Sequence, residues 1–94
     1  MRFAEDLQRT AAELEDQAAS RTERRRYKYL QECAKELSTA ACTPDPVAAV
    51  AELDEKYAAE FESGAEHAAD AGMLSRACRA LAIGEDPVPL PPRS

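Results

Sequence analysis

No tryptophan occurs in the 94 residues, and the other large apolar residues are few: eight Leu, three Val, one Ile, two Phe, three Tyr and two Met. Hydrophobic residues make up 45% of the chain, but 20 of its residues are alanine. A buried alanine contributes only a small part of the ~1.5–3 kcal/mol that a buried Leu or Phe gives. A chain of this length buries roughly 60–65% of its unfolded surface in any case. The core is therefore expected to be thin, and a second copy is as open an expectation as a monomer.

Other scarcities narrow the class. Val, Ile, Thr and aromatics are rare, and no alternating apolar–polar run is long enough for a strand. Three isolated glycines cannot form a phosphate-cradling loop. Three cysteines, an odd number, do not complete a disulfide framework. No stretch approaches the ~20 apolar residues of a membrane span. The opening MRFAEDLQRTAAELED lacks the apolar run of a signal peptide. The expectation is a cytoplasmic protein in a reducing compartment, with no membrane contact.

Abundant Ala, Glu, Leu, Arg and Lys are strong helix formers. They point to an all-α fold, a small helical bundle of three to four helices with a long or kinked N-terminal helix and a proline-rich C-terminal tail. One helical domain is expected over 1–84 and the tail over 85–94. Helices are expected over about 2–42 (with a break near 20 as the alternative), 45–62 and 64–83.

The middle helix has the clearest start. In TPDPVAAVAELDEKYAAEFESG, Thr43 or Asp45 can cap, and Pro44 or Pro46 suits the first helical position. Val47, Val50, Leu53, Tyr57 and Phe61 then recur at intervals of three and four, one helix face. Ser63 and Glu66 have capping-box spacing for the next helix, whose stripe is Leu74, Ala77, Cys78 and Leu81. Gly84 suits the left-handed position just past a helix end. Gly72, inside that helix, costs ~1 kcal/mol relative to Ala and is read as marking a close helix contact, with a break in the helix as the alternative.

The N-terminal stretch carries two stripes. Phe3, Leu7, Ala11, Leu14 and Ala18 form one; Tyr27, Leu30, Cys33/Ala34, Leu37 and Ala41 form the other. Leu14 and Leu30 lie about 160° apart on an unbroken helix. Two readings follow. The SRTE at Ser20 can cap a second helix, or one helix runs on and presents its first stripe to a partner. The absence of Gly and Pro from residues 1–43 favours continuity. On that reading Phe3, Leu7 and Leu14 form a partner-binding apolar stripe.

Charge is segregated within a chain of net charge −6. Residues 20–31 hold five basic residues against Glu23, net +4, whereas residues 43–72 hold eight acidic residues against Lys56, net −7. Helical phasing puts Arg21, Arg24, Arg25 and Lys28 on the side opposite Leu30, with Tyr27 inward. That separates the cations from the aromatics, whereas a single-strand stacking platform needs both on one surface. The basic face (Arg21, Arg24, Arg25, Lys28) and the acidic region (Glu52, Glu55, Glu62, Glu66) are read as candidate protein contacts, with solvated helix faces as the plainer alternative.

Chemistry finds little purchase. Cys33, Cys42, His67 and Cys78 are zinc-type ligands, but no C-x2-C or H-x3-H pair pre-organises two of them. Cys33 and Cys78 fall on apolar stripes, where free Cys acts as a small hydrophobe. His67 is the single histidine, and the sequence places no nucleophile beside it. No catalytic, cofactor or metal residue is assigned. The tail GEDPVPLPPRS favours polyproline II and partly resembles an SH3 ligand, though P-x-x-P-x-R would need proline where Val88 stands.

The expected function is thus a small non-enzymatic protein that binds another protein, as a regulator, adaptor or inhibitor. Phages and mobile elements encode proteins of this size and acidity, for example to block a host nuclease or defence complex. The alternative is a nucleic-acid binder using the Arg21–Lys28 face, which the acidity of the whole chain opposes.

Overall fold

The computed structural model of the protein describes residues 2–85 and Pro87. Among them are four helices and no strand: α1 (Arg2–Asp16), α2 (Arg21–Ala41), α3 (Pro46–Ser63) and α4 (Ala68–Ala82). The fold is all-α, as composition requires. The proline-rich tail expected over 85–94 lies outside the described residues, apart from Glu85 and Pro87. The chain divides into two compact units, one built from Met1–Ser38 and one from Thr39–Pro87.

In the first unit the N-terminal stretch is broken, not continuous. α1 ends in tight turns, where the amides of Gln17 and Ala18 donate to the carbonyls of Leu14 and Glu15 at 3.2 and 3.1 Å. α2 then starts from a capping box. The Glu23 amide donates to Ser20 Oγ at 3.1 Å, and the Ala19 amide donates to the Glu23 carboxylate at 3.3 Å. Two amides that helix continuity would have used find side-chain acceptors instead. The break therefore needs neither Gly nor Pro, although Gln17, Ala18 and Ala19 all favour helix.

The break has a consequence for packing. α1 and α2 are no longer locked in phase, so both stripes turn inward. α1 buries Phe3, Ala4, Leu7, Ala11 and Leu14. α2 buries Tyr27, Leu30, Cys33, Ala34, Leu37 and Ala40. Within this unit the Gln31 side-chain amide donates to the Glu15 carboxylate at 2.7 Å, tying α2 to the end of α1.

The second unit contains the α3–α4 hairpin. α3 begins as its residues dictate: Asp45 is the N-cap, its carboxylate accepts the Ala48 amide at 3.2 Å, and Pro46 takes the first position. Gly64 at φ 69 closes the helix in the left-handed conformation. α4 departs from expectation. Ser63 is the last residue of α3 and its hydroxyl donates to the Glu60 carbonyl at 2.9 Å, so it caps nothing. Residues 64–67 form a loop, and α4 starts at Ala68 with His67 at its N-cap and no side-chain cap bond. α4 ends in a Schellman turn: the Gly84 amide donates to the Leu81 carbonyl at 3.1 Å and the Glu85 amide to the Ala80 carbonyl at 2.9 Å, with Gly84 at φ 83.

Replacing Ser20 with alanine tests the break. Denaturant unfolding of Ser20→Ala should show a loss of about 1 kcal/mol, because the cap is removed. A continuous helix would instead gain, since Ala is the better helix former.

Candidate functional site

Three contacts fix the α3–α4 hairpin. Phe61 of α3 lies against Gly72 of α4: a methyl carbon placed on Gly72 would come within 2.7 Å of the Phe61 ring. Seven residues back along α3 and three residues on along α4, Asp54 accepts a hydrogen bond from the Ser75 hydroxyl. Its other oxygen pairs with Arg79 Nε at 3.2 Å. Residue numbers falling on α3 while rising on α4 define an antiparallel register. The glycine thus marks the close contact its position implied.

This register produces a groove of about 280 Å³, lined by Ala58, Phe61, Glu62, Gly72, Ser75, Arg76 and Arg79. Its floor is small, because Ala58, Gly72 and Ser75 supply little side chain. Its rims are charged, with Glu62 on the α3 side and Arg76 and Arg79 on the α4 side. Among the described residues Arg76 makes no hydrogen bond or ion pair. The expected core stripe of α3 is shorter than its spacing implied. Val50 and Tyr57 are buried and Leu53 is half-buried, while Val47 is 57% and Phe61 55% exposed. Val47 lies about 80° around the helix from Tyr57, so it turns off the buried side. Phe61 stands beside the groove.

The residues singled out from sequence sort as follows. Phe3, Leu7 and Leu14, expected as an exposed partner stripe, are buried at 2%, 0% and 7% exposure. That expectation is corrected, because it depended on a continuous helix. Arg21, Arg24, Arg25 and Lys28 are all exposed, while Tyr27 and Leu30 are buried, as phasing requires. The Arg26 guanidinium lies 5.5 Å from the Tyr27 ring. Glu52, Glu55 and Glu62 are exposed on α3, and Glu66 is exposed in the loop with a carboxylate oxygen 3.9 Å from His67 Nε2. Cys33 and Cys78 are buried free thiols and Cys42 is exposed. Among the described residues no three His, Cys, Asp or Glu side chains gather into a metal site. No helix there is long and apolar enough to cross a membrane.

Sequence reading missed Asp54, Ser75, Arg76 and Arg79. One signal was available: Gly72, Arg76, Arg79 and the C-cap residue Ile83 recur at intervals of four, three and four, a single face of α4 continued into its cap. The pairing of that face with Asp54 and Phe61 across two helices was not available from spacing. The chain matches no protein-family model, no curated protein and no solved structure.

Two predictions test the hairpin. In a Phe61→Ala background, Gly72→Ala should stabilise by up to about 1 kcal/mol, the ordinary gain of Ala over Gly in a helix. In the native background the ring must move and the gain should shrink; equal effects in a urea double-mutant cycle would show that the two do not touch. The second concerns Asp54. Asp54→Asn keeps an acceptor for the buried Ser75 hydroxyl and loses an ion pair whose Arg79 side chain is 67% exposed, so it should cost under about 1 kcal/mol. Asp54→Ala leaves Ser75 without this acceptor and should cost about 1–3 kcal/mol, recovered in part by adding Ser75→Ala.

Proposed function

We propose that this chain is a non-enzymatic helical interaction protein, a regulator, adaptor or inhibitor that docks another protein on the outer face of the α3–α4 hairpin. One observation carries the reading. The large apolar side chains left exposed among the described residues are Val47, Phe61 and Ile83, and all belong to this hairpin. Exposed apolar groups spread along one hairpin, with Arg76 unpaired among the described residues beside them, are the composition of a docking face.

The groove's dimensions favour a macromolecule over a small ligand. A drug-sized ligand is usually enclosed by a cleft of ~300–1,000 Å³. This groove, at about 280 Å³, falls just below that range and is rimmed by exposed charge. The three free thiols, two of them buried, support a reducing cytoplasm as the place of action.

A second reading has its own support, the exposed row Arg21, Arg24, Arg25 and Lys28 on one side of α2. Such a row could meet phosphates. The net charge of −6 opposes approach to a polyanion. Affinity capture from the native host's lysate separates the two. Phe61→Glu should keep the native circular dichroism, because Phe61 is half exposed, and lose the retained protein. Arg24→Glu with Arg25→Glu should keep it. The reverse pattern, with retention abolished by nuclease, would establish the nucleic-acid reading.

A further inference from the structure

We infer that the outer face of the α3–α4 hairpin is built to receive a second copy of itself, related by a twofold axis running along the hairpin. This deepens the docking reading above, on which it rests, by naming the partner. The argument comes from the order of groups across the face.

On α3, Glu55 and Glu62 are seven residues apart and therefore share one line along the helix. Both are exposed. On α4, Arg76 and Arg79 are exposed on one line that also carries Ile83. The face thus has an acidic rim along one helix and a basic rim along the other, with small residues between. A twofold axis parallel to the helices lays the α3 of each copy over the α4 of the other. The acidic rim then meets the basic rim twice.

The antiparallel register makes the heights agree. Asp54 pairs with Arg79 within one chain, so Glu55 stands at nearly the level of Arg76 and Arg79. In the paired copy those guanidinia come opposite Glu55, and Arg76 is one turn from Glu62. Phe61 already fills the space beside Gly72 of its own chain, and its exposed side comes over the same level of the facing copy. Val47 and Ile83 both lie at the open end of the hairpin, where each would cover the other copy's counterpart. The rim charges used here, and Val47 with Ile83, find their complements in the same operation. An isologous contact requires that self-complementarity.

Size sets the strength. Eighteen residues of helix span about 27 Å, and two helices 8–10 Å apart present a face about 20 Å wide. Two such faces bury on the order of 1,000 Å², the lower edge of specific interfaces. The dimer is therefore concentration-dependent and in exchange with monomer.

Charge exchange tests it with the full chain. Sedimentation equilibrium over a wide concentration range should show the wild type passing from monomer to dimer. Glu55→Arg with Glu62→Arg makes both rims basic, and Arg76→Glu brings the basic rim to zero net charge while sparing the Arg79 contact to Asp54. Each variant alone should self-associate about tenfold or more weakly, with unchanged circular dichroism. Mixed in equal amounts, the two should form a heterodimer. A wild type that stays monomeric throughout, variants that dimerise like it, or a mixture that stays monomeric would each overturn the inference. A monomer that still retains a different protein and loses it on Phe61→Glu would discard the second copy and leave the docking reading standing.

Discussion

The bond on which the second unit depends is the one Asp54 makes in two directions. Its carboxylate accepts from Ser75 and pairs with Arg79, both on the opposing helix. An alanine-rich pair of helices offers few large side chains to set how far one slides along the other. Apolar contact is nearly indifferent to such sliding, whereas a carboxylate bridging two donors four residues apart is not. Once that register is set, Phe61 falls on Gly72, the groove has its floor, and Arg76 is left at the rim. The ion pair itself is exposed and weak on the arginine side. Its importance is in specification more than in energy, and the buried Ser75 hydroxyl makes departures from the register costly.

Signals confined to one turn were legible in the sequence. Asp45 followed by Pro46 started α3, and Gly84 ended α4, because each acts through backbone groups within a few residues. Burial of Tyr27 and Leu30 with Arg24 and Arg25 outside followed from phase alone. Two capping boxes were equally visible, at Ser20 and at Ser63, and only the first is used. Local spacing could not separate them. What separates them is Gly64, directly after Ser63: it ends α3 there, and a loop intervenes before α4. At Ser20 no glycine interferes, and the capping box forms.

The candidate site was less legible for a related reason. Phe61 and Val47 fit the three-and-four spacing of a core stripe, but a helix core face is as long as its neighbours make it. Both sit in end turns of α3 and remain more than half exposed. The error at Phe3, Leu7 and Leu14 ran the other way: an assumed continuous helix placed buried residues on the surface. In each case the residue types were read correctly and the extent of cover was not. Extent is a tertiary quantity that hydrophobic periodicity does not carry.

Thin cores and exposed apolar ends are two aspects of one composition. With 20 alanines among 94 residues, helices can approach closely but cover little area where they meet. Side chains as large as Phe61 and Ile83 are few, and these two stand 55% and 73% exposed on the same hairpin. Had the chain needed only internal stability, a polar residue at either place would have cost little burial and improved solubility. On the proposed docking reading, association would cover these side chains beside the opposed charge rims, and the small residues along the groove would let a partner helix reach both rims at once.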